Sequence, residues 1–272
     1  KNFLKLIPLL LERRSQFAIF GGVRFGGTLT IDEAFADGFD HIALSAGAGR
    51  ATVLEIPNGF ARGVRAASDF LMALQLTGAA KRESIANLQI RLPIVVIGGG
   101  LTAIDTATES LAYYAVQVEK FLARYEALEA KPAWNLEERE IAQEFMAHAQ
   151  ALRKASSAEK ISLLKSWGGA TIAYRRRMID SPSYTLNHEE VAKALEEGIT
   201  FAEGLTPTRI EVDKYGHAGA VTFQDGIQLA ARSVLIAAGT QPNTVLAREE
   251  GVSLELDGKY FLATDENGAP VK

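Results

Sequence analysis

The stretch "LPIVVIGGGLTAIDTATE", Leu92 to Glu109, decides the fold. Four β-branched residues, Ile94 to Ile97, run into three glycines and then into a segment with small and apolar residues at helical spacing. That order predicts a buried strand, a tight turn and a helix, the start of a dinucleotide-binding unit. Gly98, Gly100 and Ala103 stand as G-x-G-x-x-A. The first glycine allows the turn, the second lets backbone approach a pyrophosphate, and the small third residue lets helix and strand pack closely. The helix start also offers unpaired N–H groups and a positive dipole end to an anion. Gly98, Gly99, Gly100, Thr102 and Ala103 are therefore expected to hold a pyrophosphate. Asp105, expected in the first helical turn, either shares that role or only complements the dipole. The bland alternative is a tight turn with no ligand, because the spacing alone is a weak signal.

The carboxylate that reads the ribose normally stands about twenty residues after the glycines. Here it does not arrive on a strand. About fifty residues of helical pattern intervene before "ATIAYRRR", Ala170 to Arg177, the expected second strand. The ribose-reading position then falls on Arg175, Arg176 and Arg177. Guanidinium groups offer planar paired donors and permanent charge, which suits a 2′-phosphate and favours NADP(H) over NAD(H). A solvated basic turn is the other reading.

Composition bounds the rest. A chain of 272 residues, 47% apolar, can build a substantial core. A net charge of −4 with both signs interspersed leaves no basic footprint for nucleic acid and no polybasic membrane anchor. No apolar run approaches the roughly 20 residues of a membrane span, so a soluble, cytoplasmic protein is expected. The chain has no cysteine, which removes thiolate, disulfide and cysteine-ligated metal chemistry from these residues, and its four histidines are scattered. A single-domain dehydrogenase using Tyr-x-x-x-Lys on a helix is also disfavoured, since no such spacing follows a suitable strand.

Outward from the glycine turn, "NFLKLIPLLLER" has helical periodicity and "FAIFGGVRFGG" predicts a strand entering a turn. Thr30 with Glu33 has capping-box spacing for a short helix closed by Gly38. "HIALSAGAG" predicts a buried strand, and "AASDFLMALQL" a helix. The helix from Thr102 is expected to reach about Ala130 and to be ended by Pro132. Asn135 with Glu138 caps the next helix, and Ser157 opens a third that ends at Gly168 and Gly169. Beyond the arginines, the helix "HEEVAKALEEG" precedes three expected strands, "ITFAE", "PTRIEV" and "AGAVTF", read together as an antiparallel meander. "SVLIAAG", Ser233 to Gly239, is a further buried strand.

These pieces, in order, resemble the FAD-dependent pyridine nucleotide-disulfide oxidoreductases, most closely the NADPH-oxidising small subunit of glutamate synthase. The residues that carry the resemblance are "LTIDEAFADGFDHIALSAGAG", "EIPNGFARGVRAASDFL", "GGGLTAID", "ATIAYRRR", "SPSYTLNHEEVAKALEEGITF" and "IAAGTQPN". The resemblance implies an α/β fold: a Rossmann-like NADP-binding domain at 90–232, with parallel sheet and meander, inserted in an incomplete FAD-binding domain at 1–80 and 233–272. It implies NADP(H) here, FAD in the full-length protein, and hydride passing from NADPH to FAD and on to an acceptor outside this segment. Gly239 and Gln241 would approach the nicotinamide side. No catalytic side chain and no metal ligand is implied. Three departures stand out: the N-terminal glycine fingerprint and the terminal acidic motif for FAD are missing, Leu101 replaces a polar residue, and the helical block 113–167 has no counterpart. The first predicts a piece of a longer chain that holds FAD poorly by itself. The helical block is expected either to dock electron-accepting domains or subunits, or to pack inertly on its own domain. The alternative function is a non-catalytic nucleotide-binding or scaffold module of a larger protein.

Overall fold

The computed structural model describes residues 3–249, 252 and 254–271. The chain forms two compact units, one made of residues 1–50 with 241–272 and the other of residues 51–240. They divide at 50/51 and 240/241.

The smaller unit opens with helix α1 (Phe3–Leu11) and the short α2 (Ile31–Ala36), followed by strand β1 (Ala48–Ala51) at its edge. Thr30 accepts from the Glu33 N–H while Glu33 accepts from the Thr30 N–H, the expected capping box. Two expected strands of this unit are not formed. "FAIFGG" is irregular, and in "HIALSAGAG" only the end enters β1. Ile19 and Phe20 are largely exposed, and an apolar run becomes a strand only where a neighbouring backbone completes its ladder. No such ladder runs along Phe17–Gly22 or His41–Gly47 among the described residues.

The larger unit begins with β2 (Val64–Ala66) and α3 (Ala67–Leu76), then reaches the quoted stretch as β3 (Ile94–Ile97) and α4 (Leu101–Ala127). Helices α5 (Leu136–Lys154) and α6 (Ser157–Ser166) follow, then β4 (Ala170–Ala173), α7 (Pro182–Glu196) and β5 (Thr200–Ala202). Strands β6 (Pro207–Val212), β7 (Ala218–Phe223), β8 (Gln228–Ala230) and β9 (Ser233–Ile236) complete it; β10 (Thr240–Pro242), β11 (Leu256–Asp257) and β12 (Tyr260–Phe261) lie at its end and beyond.

Five strands make a parallel sheet in the order β2-β9-β3-β4-β5. Strand β3 sits at its centre and is buried on both faces, the pattern of a parallel sheet with both sides covered. Ile94 and Val96 face α3, α4 and α7 together with Ile172 and Leu235; Val95 and Ile97 face the opposite way with Val234. That second face is covered by an antiparallel sheet, β6-β7-β8, through Ile210, Val221 and Phe223. Fully burying side chains of this size contributes about 1.5–3 kcal/mol each.

The meander is therefore shifted from the expected one. "ITFAE" belongs to the parallel sheet as β5, and the third antiparallel strand is β8, joined to β7 by a turn in which Asp225 and Gly226 both have positive φ (62° and 74°). Phe223 N–H donates to the Ile227 carbonyl at 2.8 Å and closes Gln224 to Gly226 as a three-residue loop.

The helices of the block at 113–167 start as expected. Asn135 with Glu138 and Ser156 with Glu159 form reciprocal caps. Helix α4 ends at Ala127, before Pro132; Lys131 Nζ donates to the carbonyls of Tyr125 (2.7 Å) and Leu128 (3.3 Å), satisfying acceptors that the helix end leaves open. Helix α7 starts earlier than expected, at Pro182 behind the Ser181 cap, and breaks at Asn187 (φ −157°, ψ 76°), so "HEEVAKALEEG" is its second half.

Helix α5 is pinned to the sheet unit along one face. Glu137 binds Arg62 (2.7 Å), Glu140 binds Lys214 (2.9 Å) and Tyr215, and Glu144 lies between Arg91 (3.0 Å) and Arg232. These acidic residues recur at helical spacing, which puts them on one stripe.

Candidate functional site

At the C-terminal ends of β3, β4 and β9 lies a cavity of about 470 Å³, contained in the larger unit. Open parallel sheets bind ligands at that end of their strands. The glycine turn forms its floor. Gly98 has φ +155°, and a Cβ there would stand 2.3 Å from the Ala237 carbonyl oxygen, so the turn is closed by backbone pressing on the neighbouring strand. A Cβ on Gly99 would meet the Tyr174 ring at 2.4 Å. Around Gly100 a Cβ would meet nothing within 4 Å. The three glycines thus do different work: two allow contact with the protein, and the third leaves open space in front of the helix.

Helix α4 begins directly behind that space. Gly100 is its N-cap and supplies no side-chain cap. Its carbonyl accepts from Ala103 (2.9 Å), while the N–H groups of Gly99, Gly100, Leu101 and Thr102 have no acceptor among the described residues. An uncapped 27-residue helix with four unspent donors is a strong anion-binding end. Ala103 is fully buried behind the turn. Asp105 lies past the first turn rather than in it, because the helix starts at Leu101; it is exposed, and the dipole it was expected to complement falls off within one turn.

The second wall comes from β4. Tyr174 and Arg175 line the cavity with Thr206 and Pro207 opposite. The three arginines diverge in environment. Arg175 is exposed at the cavity, Arg176 is exposed beside it, and Arg177 is held by Asp180 through two hydrogen bonds of 2.8 and 3.0 Å. That pairing lowers the Asp180 carboxyl below its ordinary value. Neither Arg175 nor Arg176 has a side-chain partner among the described residues. The loop itself is fixed by backbone: Met178 N–H donates to Glu203 (2.7 Å), Gly204 N–H to the Arg176 carbonyl, and Leu205 N–H to that of Tyr174 (2.9 Å).

A third element closes the site. Pro182 at the start of α7 lines the cavity, and Ser183 N–H donates to the Gly99 carbonyl at 3.0 Å. Ser181 and Ser183, both fully buried, bond to each other. Sequence reasoning passed over this serine pair, although its position just after the arginines was visible. Gly239 lines the cavity from the end of β9, with its carbonyl accepting from Thr52 N–H (3.0 Å). The structure thus brings together Gly98, Gly99, Gly100, Thr102, Arg175 and Gly239. Arg176 and Arg177 stand on the same loop outside the lining, and Gln241 falls in the smaller unit.

The described residues contain no cluster of histidines and carboxylates able to hold a metal ion. No helix among them is long and apolar enough to cross a membrane.

Comparison with known proteins gives the following. A family model described as pyridine nucleotide-disulphide oxidoreductase matches residues 11–271. An uncharacterized protein of Rickettsia prowazekii (strain Madrid E) is 46% identical over 224 residues, which are 82% of this chain and 31% of that relative. A crystal structure of a FAD-dependent pyridine nucleotide-disulphide oxidoreductase from Desulfovibrio vulgaris is 19% identical with a TM-score of 0.41, over 80% of this chain and 39% of that one. A ferredoxin reductase from Rhodopseudomonas palustris is 17% identical with a TM-score of 0.41, over 78% and 37%. The chain spans less than a third of the curated relative's length.

Proposed function

Since the chain belongs to the pyridine nucleotide-disulphide oxidoreductase family, we propose that its larger unit binds NADPH in the glycine-lined cavity and presents it for hydride transfer to FAD in the whole protein, from which electrons pass to a further domain or subunit. The observation that carries this reading is the meeting, in one cavity, of an uncapped helix start, an open space over Gly100 and the Arg175 side chain. Within the family, the ordered motifs support grouping the chain with the NADPH-oxidising small subunit of glutamate synthase.

The residues present fit a dinucleotide phosphate. When bound, the nicotinamide supplies the hydride chemistry; the protein supplies binding, orientation and electrostatics. The N–H groups of Gly99 to Thr102 and the α4 dipole receive the pyrophosphate. Arg175 and Arg176, whose guanidinium donors are unspent among the described residues, receive the 2′-phosphate. Gly239, in the cavity lining, is the proposed nicotinamide-side residue. The chain has no cysteine, so none of its own residues supplies a redox-active thiol.

Calorimetric titration with NADPH and with NADH tests this reading. NADPH is expected to bind more tightly, and a double variant Arg175→Ala, Arg176→Ala to bring its affinity close to that of NADH. Absence of binding for both nucleotides would overturn it.

A further inference from the structure

A second cavity, of about 260 Å³, lies on the opposite part of α4, between the 84–91 segment and the linker that joins α4 to α5. It has no carboxylate in its lining, yet two cations line it, Lys120 and Arg124. Each is tied to backbone only. Lys120 Nζ donates to the Ala79 (2.7 Å) and Ala86 (3.4 Å) carbonyls, and Arg124 donates from one terminal nitrogen to the Ser84 (2.7 Å) and Arg82 (3.3 Å) carbonyls. Among the described residues neither forms an ion pair; Glu83, outside the lining, acts on Lys120 only through space.

The remaining polar capacity of this cavity is donor capacity. Tyr113, almost fully buried, accepts from Leu88 N–H (3.1 Å), and its own hydroxyl proton has no acceptor among the described residues. Asn87 spends its carbonyl on Gln89 N–H and keeps its amide donors. Gln117 is satisfied at both ends by Ile90. The other wall is aromatic: Trp134 stacks on Tyr125 at 5.3 Å and on Phe121 at 6.2 Å, with planes 25° and 27° apart.

We propose that this cavity is a binding site for a small aromatic carboxylate, separate from the glycine-lined cavity. Unneutralised cations and unspent donors call for an anion, whereas the aromatic wall calls for a flat apolar body rather than a bare ion. The volume is just below the range of about 300–1,000 Å³ typical of drug-sized ligands, so the ligand is a small one.

The test is calorimetry on the 272-residue chain with 2-naphthoate and with neutral 2-naphthamide, each with and without saturating NADPH. The expected result is saturable naphthoate binding, unaffected by NADPH and tighter than that of the amide. A charge-assisted hydrogen bond contributes about 1.5–3 kcal/mol, so Arg124→Gln should weaken naphthoate about ten-fold or more and leave the amide unchanged. Trp134→Ala should weaken both, with far-UV circular dichroism verifying each fold. Naphthoate that fails to bind, binds no better than the amide, is displaced by NADPH, or binds both variants like the parent chain overturns the proposal.

Discussion

The hydroxyl of Tyr114 lies 2.6 Å from Nδ1 of His148, joining the centre of α4 to α5. His148 also stacks on Trp167, ring centroids 3.7 Å apart. The half-buried imidazole is pushed below its ordinary pKa, chiefly by desolvation, and its neutral form can accept the tyrosine proton. A histidine whose folded pKa is depressed contributes stability that is present above its unfolded value, about 6.5, and is lost as pH falls toward the folded one. Melting temperature should therefore decline on acidification through that window more in the parent chain than in His148→Gln. Parallel declines in the two would remove His148 as the cause.

Glu144 accepts from two arginines in a partly buried site, whereas the Arg62–Glu137 pair has its arginine well exposed. Removing one partner of a buried ion pair leaves uncompensated charge and costs about 3–5 kcal/mol, so Glu144→Gln should be strongly destabilising in urea titration. Arg62→Ala, at an exposed pair, should cost about 1 kcal/mol or less. Costs near zero for both variants would mean that α5 is held by its apolar contacts alone.

Gly98→Ala places a methyl group against the Ala237 carbonyl at a backbone angle that side chains rarely adopt. Overpacking of this kind costs about 1–3 kcal/mol. Gly100→Ala meets nothing in the protein and should leave the melting temperature nearly unchanged while weakening NADPH binding. Unaltered NADPH affinity in Gly100→Ala would show that backbone does not approach a ligand there.

Arg177 is engaged by Asp180, and Arg175 lines the cavity. Arg175→Ala should therefore lower NADPH affinity about ten-fold, in line with loss of a charge-assisted hydrogen bond, and Arg177→Ala far less. The reverse order in calorimetry would move the phosphate-reading role along the loop.

Local signals were legible in the sequence because their partners are local. The reciprocal caps at Thr30 and Asn135 each involve residues three apart, and the strand-glycine-helix unit at Ile94 to Leu101 is contiguous, whereas the Ser156 cap lies one residue before the Ser157 expected to open its helix. What the sequence hid depends on distant partners. "FAIFGG" has the composition of a strand but no ladder, and "ITFAE" could not announce that its neighbour would be β4. Strand β8, three residues with a polar start, is too short to show a period. Glu144 reads as one more charge on a solvated helix until Arg91 and Arg232, far away along the chain, arrive beside it. The Arg177–Asp180 pair is different: its spacing of three was visible, and it divides a run of arginines that looked uniform.

Strand β9 lies between β2 and β3, with Val234 paired to both Val64 and Val95. A ribosome must therefore deliver almost the whole larger unit before its earliest strand has a neighbour, and until then the apolar edges of β2 and β3 are open to wrong pairings. Such long-range parallel pairing folds slowly and exposes the chain to aggregation. The order of strands in the sheet makes the end of this unit, rather than its beginning, the point at which synthesis commits it to its fold.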